Sequence, residues 1–144
     1  CVWNPHHKEY IALIEKVQRR FTKRIPSLRL LSYPERLAMI DLEPLELRRL
    51  RTDLTEYYKC LHNLNSINYS DHFNFYIPPA ASRTSSPKLI KPVKANNNVM
   101  FSFFYRVVDC WNSLPHNARH CNSLPIFKRL LCSIDLSNFI TLLA

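Results

Sequence analysis

Glycine is absent from this 144-residue chain, whereas an average protein contains about 7% glycine. The absence excludes the phosphate-binding loop of nucleotide-hydrolysing proteins and the glycine-rich turn of dinucleotide-binding folds, since both motifs require glycine at defined positions. The turns of this chain must therefore be made by Pro, Asn, Asp or Ser. After glycine, Asn and Asp tolerate the left-handed backbone conformation best, and the ten prolines restrict φ.

Acidic residues are also scarce, with 11 Asp and Glu against 20 Lys and Arg. No Asp-Asp or Asp-x-Asp pair occurs, so the sequence lacks the clustered carboxylates that hold two metal ions in nucleotidyl-transferring enzymes. No other pattern marks a nucleophile or a general base. We therefore expect no catalytic residue, no cofactor, no bound metal ion and no small-molecule substrate.

Long hydrophobic runs are missing, because no apolar stretch approaches the ~20 residues that a membrane-spanning helix needs. The first ten residues, CVWNPHHKEY, lack the apolar core of a signal peptide. The five cysteines are an odd number at irregular spacing, which is typical of reduced thiols. We expect an intracellular protein, nuclear or cytoplasmic, without membrane contact. The initial Cys in place of Met predicts that the chain is a fragment of a longer protein.

Positive charge is concentrated in two parts of the chain. The formal net charge is +9, with +5 in residues 1–31, −2 in residues 32–81 and +7 in residues 82–131. A surplus of this size indicates a polyanionic partner such as nucleic acid or an anionic membrane surface. The alternative is that the charge serves solubility alone.

Hydrophobic periodicity predicts a mainly α fold, a small helical domain of about five helices with an irregular, weakly β region in the middle. The predicted helices cover residues 7–25, 33–40, 44–62, 101–113 and 124–131. Short strands are predicted in HFNFYIPP and near Leu89–Val93. These elements divide the chain into helical segments 1–62 and 101–144, joined by an irregular basic linker or hairpin at 63–100.

The first predicted helix has a sharply divided surface. Apolar residues at spacings of three or four share one face, namely Tyr10, Ile14, Val17, Phe21 and Ile25. The opposite face carries Lys16, Arg19, Arg20, Lys23 and Arg24. Like-charge i,i+4 pairs on that face cost roughly 0.2–0.5 kcal/mol each, and Glu15, four residues before Arg19, offsets only one of them. Phosphates would neutralise such a surface, although an ordinary solvated face has the same pattern.

The other predicted helices carry recognisable end signals. Ser32 and Glu35 form a predicted capping box before the second helix. Pro44 suits the first position of the third helix, and Asn63 and Asn65 are expected to stop it. On the fourth helix, Trp111 is expected to pack inward.

The stretch RVVDCWNSLPHNARHC contains residue types that bind zinc. Its two cysteines, Cys110 and Cys121, bracket His116 and His120. The resulting spacing, C-x5-H-x3-H-C, departs from the short Cys-x2-4-Cys knuckle of structural zinc sites. We therefore prefer a half-buried thiol with two surface histidines, and a zinc module is the alternative.

Six motifs, taken in order, resemble one protein family. They are VW-P near the start (Val2, Trp3, Pro5), IEKVQRRFTKRI (14–25), LSYPERL (31–37), LELRRLRTDLTEYYK (45–59), F-x2-RVVDCWNSLP (103–115) and SLPIFKRLL (123–131). The series is similar to the C-terminal (thumb and post-thumb) region of reverse transcriptases from LINE-like, jockey-type non-long-terminal-repeat retrotransposons. It covers nearly the whole chain, and its specificity comes from order and spacing rather than from any single motif. Where the family's short helix usually ends near Gly-Leu, this chain has Ile40-Asp41-Leu42.

The resemblance implies a non-catalytic part of an RNA-directed DNA polymerase, because the family's catalytic aspartates lie in the palm, upstream of this region. It makes 1–62 a thumb-like segment and 101–144 a C-terminal extension. The implied partners are the backbone of RNA or of an RNA–DNA hybrid, bound without sequence specificity, and the missing palm domain. The candidate nucleic-acid-binding residues are Lys16, Arg19, Arg20, Lys23, Arg24, Arg48, Arg49 and Arg106. The alternative is a structural or protein-interaction helical domain without nucleic-acid binding.

Overall fold

The structure is a computed structural model that describes residues 4–66, 74–76, 88–91 and 102–141. Its fold is mainly helical, which confirms the predicted fold class. The motif residues Val2 and Trp3 lie outside the described residues.

Six α-helices are formed by the described residues. They are α1 (Lys8–Lys23), α2 (Tyr33–Met39), α3 (Leu45–Leu61), α4 (Phe103–Ser113), α5 (His116–Arg119) and α6 (Leu124–Ser133). Short 3-10 helices lie at Pro26–Leu28 and Ser137–Phe139. Each predicted helix is present. The sequence pattern missed only α5, because a single turn is too short to show a hydrophobic period.

Two compact units divide the chain. The N-terminal unit consists of Trp3–Leu50 together with Leu136–Ala144, and the central unit includes Arg51–Asp135. The boundary between them therefore falls within α3. The predicted division of the chain at residues 62 and 100 stays a prediction.

Two three-residue strands, β1 (Asn74–Tyr76) and β2 (Lys88–Ile90), pair antiparallel in the region where strands were predicted. Their register places Phe75 opposite Leu89. The side-chain amide of Asn112 on α4 donates to the carbonyl of Leu89 at 2.9 Å and accepts from its N–H at 3.0 Å. Asn112 thereby pairs both backbone groups of Leu89, as a neighbouring strand would, and joins β2 to α4.

The helices α2 and α3 both end in a turn that usually contains glycine. Asp41 and Asn63 have left-handed backbones, with φ of 51° and 53°. After α2, the N–H of Leu42 donates to the carbonyl of Leu37 at 2.9 Å, and the N–H of Asp41 donates to that of Ala38 at 3.4 Å. These are the two bonds of a Schellman motif, and the bonds after α3 have the same spacing. The glycine-free chain thus uses Asp and Asn in the glycine position, as predicted.

The start of α2 is stabilised by the predicted capping box. The backbone N–H of Ser32 donates to the carboxylate of Glu35 at 2.7 Å, and the Ser32 side chain completes the reciprocal bond. Hydrogen bonds from the side chain and the backbone of Ser32 hold the pKa of Glu35 below its ordinary value. The carboxylate form therefore favours the folded helix.

The core of the central unit is aromatic. Tyr58 on α3 stacks on Phe127 of α6 with ring centroids 4.5 Å apart, and Tyr57 meets Trp111 of α4 edge-on at 4.6 Å. All four side chains are at most 3% exposed, which confirms that Trp111 packs inward. The hydroxyl of Tyr58 donates to the carbonyl of Cys121 at 2.9 Å, so the ring's polar end is also satisfied.

Candidate nucleic-acid interface

The buried face of α1, within the N-terminal unit, carries mostly polar side chains. Ile11, Glu15, Gln18 and Thr22 recur at spacings of four, three and four, so they lie on one face. Glu15 and Thr22 are 2% and 0% exposed, and Ile11 is also buried. We call these four residues the inner seam.

The carboxylate of Glu15 joins three helices. One oxygen accepts a hydrogen bond from the hydroxyl of Tyr33 on α2, and the other accepts from the N–H of Leu45, the first residue of α3, at 2.9 Å. A negative charge at this position also interacts favourably with the dipole of α3. The amide of Gln18 donates to the Tyr33 hydroxyl at 3.2 Å and to the carbonyl of Glu43 at 2.8 Å. This network determines how α1 packs against α2 and the start of α3.

The pKa of Tyr33 is raised to about 12, with burial as the largest cause and the hydrogen bond to Glu15 as the next, so this hydroxyl stays protonated. Two further contacts connect α1 with α2. The guanidinium carbon of Arg19 lies 4.8 Å from the centre of the Tyr33 ring. Arg36, which is 5% exposed, donates to the hydroxyl of Thr22 at 3.1 Å.

The predicted basic residues of α1 are exposed to solvent. They are Lys16, Arg19, Arg20, Lys23 and the helix C-cap Arg24. Arg19 lies over the Tyr33 ring and forms no ion pair with Glu15, whose two carboxylate oxygens accept hydrogen bonds from Tyr33 and Leu45. Within the part of the chain that the structure describes, the other four form no ion pair. We call these four residues the basic strip.

The remaining predicted residues lie apart from α1. Arg48 is exposed near the start of α3, and the Nε of Arg49 donates to Oδ1 of Asn4 at 3.1 Å. Arg106 belongs to the central unit, where its Nε lies 2.9 Å from Oδ2 of Asp53. The Asp53 side chain is only 2% exposed, so Arg106 compensates a buried charge. The basic strip is therefore the group of predicted residues that the structure places together.

Most of the predicted apolar face of α1 is exposed, whereas its members Ile14 and Ile25 are half-buried. Tyr10, Leu13, Val17 and Phe21 are 51%, 56%, 68% and 65% exposed, and we call them the apolar ridge. An amphipathic helix of a globular protein normally turns such a face toward the core. Here the inner seam takes that position, because its buried polar groups find hydrogen-bond partners on α2 and α3. At 3.6 residues per turn, the apolar ridge and the basic strip lie side by side on the exposed surface.

Sequence reasoning missed two kinds of residue in this unit. Lys8 and Arg29 are exposed cations before and after the basic strip, and the +5 charge of residues 1–31 was the signal that included them. The inner seam was missed as well. Its signal was the helical spacing of Glu15, Gln18 and Thr22, but that pattern is equally typical of a solvated face.

The stretch considered for zinc does not gather its ligand-type side chains. Among the described residues, no group of three or more His, Cys, Asp or Glu side chains is placed to hold a metal ion. Cys110 is 1% exposed, and burial raises the pKa of its thiol to about 12, whereas metals bind the thiolate. The rings of His116 and His120 stack at the surface with centroids 4.1 Å apart. The thiol of Cys121 lies 3.2 Å from the carbonyl of Ala118.

No protein-family model, no curated protein and no solved structure matches this chain. None of the helices in the described ranges has both the length and the apolar character needed to cross a membrane. The geometry of α1 is therefore the observation that bears most directly on function.

Proposed function

We propose that this protein is a non-catalytic nucleic-acid-binding segment of a retrotransposon-type RNA-directed DNA polymerase. In this proposal the basic strip of α1 contacts the phosphate backbone of RNA or of an RNA–DNA hybrid. The observation that carries the proposal is the strip itself, four exposed cations that form no ion pair within the described residues. The motif series similar to reverse transcriptase C-terminal regions supports the polymerase class.

Phosphate groups would relieve a repulsion that α1 carries in isolation. Arg20 follows Lys16 by four residues and precedes Arg24 by four, and each such like-charge pair costs roughly 0.2–0.5 kcal/mol. A backbone phosphate beside such a pair carries one negative charge, so it weakens the repulsion between the two cations, and the contact releases condensed counterions into solution. Contacts of this kind read no base, so the binding is independent of sequence.

The inner seam makes α1 a firm support for these contacts. Glu15, Gln18 and Thr22 each form hydrogen bonds to α2 or to the segment at the start of α3. A satisfied buried network of this type specifies one orientation of a helix, because rotation would leave its polar groups unpaired. The basic strip is thus held toward solvent in the absence of a ligand.

The proposal assigns no catalytic step and no cofactor to these residues. Its partners are the nucleic-acid backbone and the palm domain of the parent polymerase, and its compartment is the nucleus or the cytoplasm. Arg48, which is exposed on α3, remains a candidate contact in this proposal. Arg49 and Arg106 have partners in Asn4 and Asp53, so we expect them to support the fold more than the ligand.

The test is the affinity of the full chain for a short fluorescein-labelled RNA–DNA hybrid, measured by fluorescence anisotropy. If the four residues of the strip each contact a phosphate, the affinity falls by roughly two orders of magnitude between ~50 and ~200 mM salt. Arg20→Glu combined with Lys23→Glu should remove most of the binding. Arg19 is left unchanged, because its contact with Tyr33 also serves packing.

The matched control is Lys128→Glu combined with Arg129→Glu. Both residues are exposed on α6 of the central unit, and the substitutions change the net charge by the same amount. Loss of binding in the α1 variant alone supports the proposal. Equal losses in both variants would show that only net charge matters. Absence of binding at low salt, together with self-association in sedimentation, would favour the protein-interaction alternative.

A further inference from the structure

The apolar ridge has no function in the proposal above. Its four side chains, Tyr10, Leu13, Val17 and Phe21, are each more than half exposed. Soluble monomers rarely expose contiguous apolar patches larger than a few hundred Å², and larger exposed patches mark sites of interaction. All four side chains belong to α1, so the ridge is a narrow stripe parallel to the axis of this helix.

The spacing of the ridge fits contact with another helix. Its members follow one another at three, four and four residues and extend over roughly 16 Å of helix axis, at 1.5 Å per residue. Positions i, i+3, i+7 and i+11 are those that one helix presents to a second helix lying along it. Nucleic-acid bases stack on aromatic rings, whereas Leu13 and Val17 in the middle of the ridge are aliphatic.

The helix cannot bury the ridge by turning inward. Rotation of α1 would expose Glu15 and Thr22, which are buried and hydrogen-bonded to Tyr33, Leu45 and Arg36. Those donors would lose their partners at the same time. The exposed ridge is therefore a consequence of the inner seam, and no described residue of the N-terminal unit covers it.

The positive charge beside the ridge indicates which kind of partner can bind there. Arg20 and Arg24 border the ridge on the side of the basic strip, and neither forms an ion pair within the described part of the chain. A second copy of this protein would bring the same arginines and a net charge of +9 against them, which opposes pairing. A helix whose apolar face is edged with Asp or Glu would complement both surfaces.

We infer that the apolar ridge of α1 is a docking site for an acidic amphipathic helix of a partner protein. The partner's apolar side chains pack between Leu13 and Val17, and its carboxylates pair with Arg20 and Arg24. The apolar contact with Leu13 and Val17 is additional to nucleic-acid binding, which does not require the ridge. The two ligands share Arg20 and Arg24, so we expect the acidic helix to weaken hybrid binding.

The probe is a fluorescent, end-capped synthetic helix with Leu at the a and d positions of its heptads and Glu at e and g. A second peptide carries Lys in place of every Glu. The full chain should bind the acidic peptide in anisotropy titrations and bind the basic peptide at least about tenfold more weakly. Val17→Asp should weaken binding of the acidic peptide by at least about tenfold.

The matched control is Ile126→Asp, since Ile126 is 43% exposed on α6 and the substitution is of the same kind. It should leave peptide binding unchanged. In addition, Val17→Ser, which removes the apolar side chain without adding a charge beside Arg20, should weaken peptide binding and retain binding to the RNA–DNA hybrid. This result separates failure of the ridge from failure of the basic strip. Circular dichroism checks that each variant is folded.

Several results would overturn the inference. Equal affinity for the acidic and basic peptides would remove the role of charge, and unchanged binding by Val17→Asp would remove the ridge from the site. If sedimentation shows a dimer and Val17→Asp dissociates it, the occupant of the ridge is a second copy of this protein. If the chain binds phosphatidylserine vesicles but not the peptide, and Val17→Asp abolishes the vesicle binding, the occupant is a lipid surface.

Discussion

Removal of the Glu15 carboxylate is the sharpest test of the inner seam. Its two hydrogen-bond partners, the Tyr33 hydroxyl and the Leu45 N–H, are donors on two other helices. Hydrogen bonds to a charged group contribute ~1.5–3 kcal/mol each, so we expect Glu15→Ala to lower the free energy of unfolding by roughly 3–5 kcal/mol. Glu15→Gln keeps one acceptor oxygen and should cost about half as much.

The measurement is guanidinium-induced unfolding followed by circular dichroism, with a thermal scan beside it. For a chain of this size, ~1 kcal/mol corresponds to a shift of roughly 2–4 °C, so the Glu15→Ala melting temperature should fall by about 10 °C. Glu9→Ala is the matched control, because Glu9 is exposed on the same helix and the substitution is the same. Its effect should stay near half a kcal/mol. A loss below this level for Glu15→Ala would refute the account of the inner seam.

A second readout separates this network from simple loss of packing. The pKa of Tyr33 is raised from 10.0 to about 12, with burial as the largest cause and the Glu15 hydrogen bond next. Because the folded state favours the protonated phenol, its stabilising contribution is complete below pH 10.0 and is lost as pH rises toward about 12. In Glu15→Gln, ultraviolet titration should show Tyr33 ionising at lower pH while still above its ordinary pKa. An unchanged titration would show that Glu15 does not act on this hydroxyl.

Two further predictions concern the turns and the central unit. Asp41 occupies a left-handed position that costs a residue with a side chain about 1 kcal/mol, so Asp41→Gly should raise the free energy of unfolding by roughly 0.5–1 kcal/mol in denaturant titration, and Asp41→Ala should lower it. The opposite order would contradict the left-handed assignment. Arg106→Gln should cost about 3 kcal/mol in the same assay, because it removes the cation that lies 2.9 Å from the buried carboxylate of Asp53. Asp53→Asn combined with Arg106→Gln should recover part of that loss, and equal losses in the single and double variants would show that the charge pair is not the cause.

Local signals were sufficient for most of the secondary structure. Capping and helix termination depend on residues within one turn of the helix end, so the Ser32–Glu35 box and the stop at Asn63 were predictable. The lack of glycine made Asp or Asn the expected residue in left-handed turns, and Asp41 confirms it. The inward packing of Trp111 followed in the same way from the apolar period of α4.

The pairing of charges was not predictable, because it depends on residues distant in sequence. Arg106 was predicted as a nucleic-acid contact, but it lies 2.9 Å from Asp53, which is 53 residues earlier in the chain. The bond from Asn112 to the backbone of Leu89 spans 23 residues and has no local signature. A charged or amide side chain can be exposed to solvent or paired inside the fold, and the amino-acid composition does not distinguish these two environments.

The helix α1 shows which properties follow from the sequence and which depend on the tertiary structure. Its sequence alone established that it is helical, that its cations share one face and that Tyr10, Val17 and Phe21 share another, because these properties follow from the 3.6-residue period. The period does not say which face packs against the rest of the protein. That choice depends on Tyr33, Arg36 and the N-terminus of α3, which supply hydrogen bonds to buried Glu15 and Thr22 and so leave the basic strip and the apolar ridge both facing solvent.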